Sequence, residues 1–363
     1  MFERNLPYNG LPDLPPNETF DNASLTRLTI KANKLLAELK GFCQTLPNPE
    51  ILLNTIVLQE SKDSNEIENI VTTQDDLYMS SLKQYTSAQN SEAKEVLFYR
   101  EALYYGIKSL EQHNLITTNT LIGIVQHIKS TTVGVRTITG VKIANPATKE
   151  VIYTPPEGER LVLQKLLELE RFINDSGVSD LDPLIKMALI HYQFEAIHLF
   201  SDGNGRTGRI LNILYLIQQD LITLPVLYLS KYIIQNKKEY YTLLRDVTEQ
   251  NHWVQWVEYV LEGVATTSAN TLRKIRKILD HQTQLDEQIK TVLGNSASRE
   301  LTELLTSHPY CKIRVLVEKG IAKRQTASEY LKKLSTAGIL VAQKNGKDVY
   351  YINQTLMDIL SQE

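Results

Sequence analysis

Cysteine is nearly absent from the 363 residues: only Cys43 and Cys311 occur, far apart in sequence, and two such thiols build no disulfide framework. They read as buried thiols of a protein kept in a reducing cytoplasm. A dominant sign of charge is missing too, since 39 Lys plus Arg stand against 42 Asp plus Glu for a net of −3. This excludes a whole-surface affinity for nucleic acid or anionic membrane, so any basic patch is local. Long apolar runs are lacking. The stretch Ile213–Leu229 is broken by Gln218, Gln219, Asp220 and Pro225, short of the roughly 20 apolar residues a membrane helix needs. The opening MFERNLPYNGLPDLPP has no basic start leading into an apolar core, so it does not read as a secretory leader. No membrane partner is expected.

Glycine is missing between Gly41 and Gly106, and proline is missing after Pro49 over the same stretch. Without these breakers, and with apolar residues at helical spacing such as Leu35, Leu36 and Leu39, the chain from Leu25 to about Leu110 reads as a helical layer. Ahead of it, residues 1–20 carry Pro7, Pro12, Pro15 and Pro16 and read as an extended arm laid on the surface. With 42% hydrophobic and 22% charged residues the chain can bury a real core, and its length suits two or three units.

Val133–Tyr153 changes character. Gly134 and Gly140 punctuate it, Val141, Ile143, Val151, Ile152 and Tyr153 favour strands, and Asn145-Pro146-Ala147-Thr148 supplies a turn, which together predict a β-hairpin. A helix over Leu161–Asn174 follows. The next helix has a clear start, with Asp182 as N-cap and Pro183 at the first helical position, and runs to about His198. A further helix, Arg206–Asp220, is apolar nearly all round through Ile210, Leu211, Ile213, Leu214 and Ile217, which marks it as buried and central.

The residues joining these two helices, His198-Leu199-Phe200-Ser201-Asp202-Gly203-Asn204-Gly205-Arg206-Thr207-Gly208-Arg209, carry the chemistry. Gly-Asn-Gly allows close main-chain approach to a ligand, and the following helix N-terminus offers unpaired N–H groups suited to phosphate. Arg206 and Arg209, at i and i+3, can converge on one polyphosphate. Asp202 is a hard oxygen ligand placed for a magnesium ion on those phosphates. The His198 imidazole, with a reference pKa of about 6.5, can take a hydroxyl proton near neutral pH. Singly, a glycine turn, a helix-end histidine or two spaced arginines are ordinary surface features, and it is their convergence within one loop that points to a nucleotide site.

The same stretch resembles the Fic family signature H-x-F-x-D/E-G-N-G-R-x-x-R at every specified position, with Leu199 where many members have proline. The resemblance implies that His198 is the general base, that Asp202 binds Mg2+, and that Gly203, Asn204, Gly205, Arg206 and Arg209 hold ATP. Phe200 would bury its ring to fix the loop. Members of a kinase-like toxin branch carry lysine where this chain has Gly205, so the resemblance implies AMP transfer from ATP, with release of pyrophosphate, to a hydroxyl group of a target protein or of the chain itself. It further implies that the hairpin Val141–Tyr153 is a flap that registers the target by strand addition, and that Asn236, Tyr240 and Tyr241 line an adenine pocket. Upstream, Ser64-Asn65-Glu66-Ile67-Glu68-Asn69 resembles the family's inhibitory-helix pattern S/T-x-x-x-E-G/N. There Ser64, Glu68 and Asn69 would restrain the enzyme in cis, with Glu68 pairing with Arg209.

Beyond a polar helical stretch, Ser298–Leu305, Ile313–Glu318 and Gln325–Leu334 read as three helices. Gly338–Val341 and Asp348–Ile352 read as two strands around the turn Asn345-Gly346, and the set suggests a winged helix with Gln325, Thr326 and Ser328 near the exposed start of its recognition helix. From Ser296 onward ten Lys plus Arg face seven Asp plus Glu, a local net of +3. Such folds bind duplex DNA or dock proteins, including a second copy of the chain, so a DNA-binding regulator with the Fic core as nucleotide sensor is the competing class. The expected architecture is mainly α: a helical region over 1–110, a Fic core with its hairpin over 111–265, a connector over 266–295 and a winged helix over 296–363.

Overall fold

The computed structural model describes residues 2–46, 48–81, 91–144, 148–227, 229–345 and 347–362. In chain order, α1 (Ala23–Gln44), α2 (Glu50–Ile67), α3 (Gln74–Ser81), α4 (Ser91–His113) and α5 (Thr118–Lys129) precede a hairpin of β1 (Ile143–Ala144) and β2 (Val151–Tyr153). Then come α6 (Glu159–Asn174), α7 (Pro183–Ile197), α8 (Asn204–Gln218), α9 (Leu229–Gln235), α10 (Lys237–Gln250) and the long α11 (Trp253–Leu293). The chain closes with α12 (Arg299–Ser307), β3 (Tyr310–Cys311), α13 (Ile313–Glu318), α14 (Arg324–Thr336), β4 (Val341–Asn345), β5 (Asp348–Ile352) and α15 (Gln354–Ser361). It is mostly helical and forms two compact units, one of residues 1–44, 60–71 and 95–269, the other of 45–59, 72–94 and 270–363. Of the helical connector expected over 266–295, residues 266–293 belong to the continuous helix α11.

In the first unit α7 and α8 pack against each other, with α6 and α1 on α7 and α5 on α8. Both central helices are buried on every side. At about 1.5–3 kcal/mol for each fully buried large apolar side chain, this pair forms a stable floor for whatever lies at its ends. Asp182 starts α7 by accepting the Leu184 N–H at 2.8 Å, with Pro183 in the first turn. The hairpin pairs Ile143 with Tyr153 and Ala144 with Val151, with a register shift between them; residues 145–147 of its expected turn lie outside the described residues. The N-terminal arm is tied to the hairpin's exit. Tyr8 N–H donates to the Thr154 carbonyl at 3.0 Å, Thr154 Oγ1 donates to the Arg4 carbonyl at 2.6 Å, and the Phe2, Tyr8 and Tyr153 rings cluster.

The second unit holds α12, α13 and α14 beside an antiparallel sheet in the order β3-β5-β4. Leu301, Leu305, Leu316, Leu331, Leu334 and Leu340 pack its core together with Leu285 and Ile289 of α11. Its strand β4 starts at Val341 rather than Gly338, because the chain uses Gly338, at φ 75°, to end α14: the Gly338 and Ile339 N–H groups bond back to the Ser335 and Leu334 carbonyls, both at 3.0 Å. Gly346 of the expected turn lies outside the described residues, while Asn345 pairs with Asp348.

Candidate active site

Helix α7 ends because His198 takes a left-handed backbone, φ 51° and ψ 59°, with its N–H on the Phe194 carbonyl at 3.2 Å. The chain then dips inward, and Leu199 and Phe200 are fully buried, the Phe200 ring lying against Phe194. Asn204 staples the loop: its Oδ1 accepts from the Phe200 N–H at 2.8 Å and its Nδ2 donates to the Phe200 carbonyl at 2.7 Å. With Gly203 at φ 88° supplying the turn, Asn204 and Gly205 become the first helical residues, so α8 begins two residues before the expected Arg206.

A residue that sequence reasoning missed holds the loop from the other side. Buried Arg136 donates from Nε to the His198 carbonyl at 2.7 Å and from Nη2 to the Pro156 and Ile197 carbonyls at 2.5 and 3.3 Å, and its N–H reaches the Leu199 carbonyl at 3.0 Å. A buried guanidinium satisfied by carbonyls keeps its charge, and that charge acts on the histidine. Burial first, then the Arg136 charge, pushes the His198 pKa down to about 4, so the ring is neutral and able to accept a proton at physiological pH. Arg136→Gln removes the charge, and the acid limb of the pH–rate profile is expected to move upward toward the ordinary histidine range. A limb that stays in place would show that His198 does not titrate against Arg136.

Asp202, largely exposed, receives Lys129 Nζ at 2.5 Å and lies 3.6 Å from Arg206 Nη2. Burial works to raise its carboxyl pKa, but these two cations hold it below the usual range, so it is ionised. The guanidiniums of Arg206 and Arg209 are buried at 2% and 3% exposure, and both are engaged by the end of α2. Arg206 Nη1 donates to Glu95 at 2.7 Å and to Asn65 Oδ1 at 3.3 Å. Arg209 donates to Ser64 Oγ at 2.8 Å, to the Ser64 carbonyl at 2.9 Å and to Glu68 Oε1 at 2.9 Å. Burial works against the guanidinium charge, but Glu68, with Tyr99 and Tyr240, offsets it and the Arg209 pKa is raised.

Ser64 lies in the last turn of α2, while Glu68 sits just past its end and Asn69 turns the chain with φ 64°. The Glu68 carboxylate rests on the N-terminus of α8: a Cβ added at Gly205 would fall on Glu68 Oε1 and lie 3.0 Å from Arg209 Nη1. Lys237, also missed in the sequence, donates to the Ile67 carbonyl at 2.7 Å and reaches Asn69 Oδ1 at 3.5 Å, capping α2 from α10. Deeper in α2, buried Glu60 accepts from the Ser230 hydroxyl and, at 3.2 Å, from Tyr99.

The three expected adenine-pocket residues fall at different depths. Half-buried Asn236 precedes α10 and donates to the Tyr232 carbonyl at 2.9 Å. Tyr240 is 3% exposed, and its hydroxyl meets His191 Nε2 at 2.8 Å. Tyr241, 48% exposed, sets its ring edge-on to Tyr240 at 5.1 Å. No cluster of three or more His, Cys, Asp or Glu able to hold a metal occurs among the described residues. A magnesium ion carried on phosphate oxygens takes only one or two protein carboxylates, and the ionised Asp202 would fit such an ion.

Two buried helices packed on each other, with a histidine ending the first and two buried arginines in the first turns of the second, form the centre of this helical unit. The chain matches the Fic/DOC family over residues 115–216, the Fic/DOC family N-terminal region over 26–108, and the domain described as protein adenylyltransferase SoFic-like, C-terminal, over 281–356. It belongs to the Fic/DOC family. Among curated proteins it resembles the protein adenylyltransferase fic-1 of Caenorhabditis briggsae, 32% identical over 91 residues, and the protein adenylyltransferase Fic of Drosophila erecta, 34% over 95 residues. These matches cover 24% and 26% of this chain but only 16% and 18% of the relatives. The fold is shared with a Fic family protein from Desulfovibrio desulfuricans (TM-score 0.57, 18% identity, 93% of this chain and 98% of that one). It is shared also with Fic-1 of Caenorhabditis elegans (TM-score 0.54, 20% identity, 70% and 74%).

Proposed function

We propose that the chain is a protein adenylyltransferase that moves AMP from ATP to a protein hydroxyl group and is restrained in cis by Glu68. One observation carries the reading: a neutral histidine, an ionised aspartate and a helix N-terminus flanked by two buried arginines meet in a single loop. The triphosphate lies on the first turn of α8, around Gly203, Asn204 and Gly205, with Arg206 and Arg209 neutralising it. His198 takes the proton of the acceptor hydroxyl as its oxygen attacks the α-phosphorus; the bond to the bridging oxygen breaks and pyrophosphate leaves. Asp202 would hold Mg2+, which supplies charge neutralisation on the phosphates. The chain's own part is positioning and fixed charge.

The acceptor segment adds to the hairpin Val141–Tyr153 as a strand. Tyr241, the exposed member of its pair, offers a ring face to adenine, with Asn236 beside it and Tyr240 as the layer behind. Transfer is assigned to residues 111–265, the restraint to 1–110, and 266–295 leads to a winged-helix unit over 296–363. Both cysteines are buried free thiols, which supports a cytoplasmic setting; no helix among the described residues is long and apolar enough to cross a membrane. The second class, a DNA-binding regulator, rests on the exposed Lys323, Arg324, Lys332 and Lys333 of α14 and its start and on Lys344 of β4. Its signature is an affinity for duplex DNA that falls steeply with salt.

Asp202→Ala is expected to abolish both transfer and its dependence on magnesium, measured as labelling of protein by ATP over a magnesium titration. Magnesium-stimulated labelling that persists in this variant would place the metal elsewhere.

A further inference from the structure

Two glycines three residues apart on α8 share an unusual feature. Gly205 has a carboxylate oxygen of Glu68 where its Cβ would be, and Gly208 has Glu195 Oε1 there, 2.5 Å away, with the Phe194 ring at 3.0 Å. Gly208 has no positive φ to explain it, and glycine inside a helix costs about 1 kcal/mol relative to alanine. Close approach of the Glu195 carboxylate is what this glycine permits.

Glu195 stands on the last turn of α7, three residues before His198. Its Oε1 is completely buried and has no hydrogen-bond partner among the described residues, a costly arrangement for a carboxylate oxygen, though the residue as a whole keeps some exposure. Burial raises its pKa to about 7, with Arg209 pulling it down and Glu68 pushing it up. Its charge also acts on Tyr240 and Tyr241. The Glu195 carboxylate, beside Gly208, therefore lies one helical turn, about 5 Å, along α8 from the polyphosphate position at Gly205. The nucleoside half of a bound nucleotide belongs at that distance.

We propose that Glu195 is a nucleotide-specificity residue whose carboxylate accepts a hydrogen bond from an N–H or O–H donor of the nucleoside, the base amino group or a ribose hydroxyl. The proposal rests on the adenylyltransferase reading only for the presence of a nucleotide on α8. Gly208 is then part of the same device, since any side chain there displaces the carboxylate.

The test is calorimetric titration of the full chain carrying Glu68→Gly, with and without Glu195→Ala, using ATP, inosine triphosphate, 2′-deoxy-ATP and 3′-deoxy-ATP in magnesium. With Glu195 present, at least one analogue lacking a donor should bind about tenfold or more weaker than ATP, as loss of a bond to a charged acceptor requires. In Glu195→Ala that discrimination should collapse to about twofold or less, through weaker ATP binding. The isosteric Glu195→Gln, which keeps a carbonyl acceptor and the packing at Gly208, should retain most of it. The analogue that loses discrimination identifies the base or the ribose as the donor. Equal weakening of all four nucleotides, or unchanged discrimination in Glu195→Ala, overturns the specificity role and leaves the adenylyltransferase reading standing. Failure of ATP to bind even with Glu195 intact overturns both.

Discussion

Glu68→Gly should raise ATP-dependent labelling of the chain, or of an added target, by roughly tenfold to a hundredfold. The Glu68 carboxylate rests on Gly205 and bonds Arg209 at 2.9 Å, so on the proposed reading it takes both the place and the charge partner of the terminal phosphate of ATP. Losing one charge-assisted hydrogen bond is worth about 1.5–3 kcal/mol, which sets the size of the effect. The two bonds that Arg209 donates to Ser64 remain in the variant and keep the guanidinium near its position. Because Glu68 lies just beyond the end of α2, glycine there costs the helix little, and Glu68→Ala should behave alike. If both variants stay as quiet as the parent, with His198→Ala marking the assay background, Glu68 does not restrain the chain.

His198→Ala is expected to reduce transfer by about a hundredfold to ten-thousandfold, the usual contribution of a positioned general base, while ATP affinity stays within a few-fold. The separation follows from the geometry: His198 caps α7, whereas the groups proposed to bind phosphate belong to the first turns of α8. Alanine is strained at φ 51°, so the loop itself could suffer. His198→Asn tolerates that backbone and cannot serve as the base, and it should lose as much activity with unchanged thermal unfolding. Retained transfer in either variant contradicts the assignment.

The parts of this site that share one short segment were legible in the sequence. Asp182-Pro183 marks the start of α7, the all-round apolar pattern marks α8 as buried, and residues 198–209 name the histidine, aspartate and arginines. The pairing of Glu68 with Arg209 followed from the resemblance to the family's inhibitory-helix pattern, and the structure has that contact at 2.9 Å. What could not be read is tertiary. Arg136 and Lys129 meet the loop, Lys237 meets the end of α2 and Glu195 meets Gly208 only through tertiary packing, and each resembles an ordinary surface or helix residue until its partner is placed. The start of α8 was set late by a similar cause, because Asn204 looks like a loop residue until its side chain is seen bonding Phe200. In the C-terminal unit the strand β4 moved because Gly338 was needed to end α14, a competition between two elements for the same residues.

The most direct measurement is the intact mass of the purified Glu68→Gly chain, alone and with candidate protein acceptors, after incubation with ATP and magnesium. The account predicts an added mass of one AMP per modified hydroxyl group, absent when His198→Ala is introduced into the same chain and absent without ATP. Added phosphate in place of AMP, or a chain and acceptors that remain unmodified although ATP binds, would contradict adenylyl transfer.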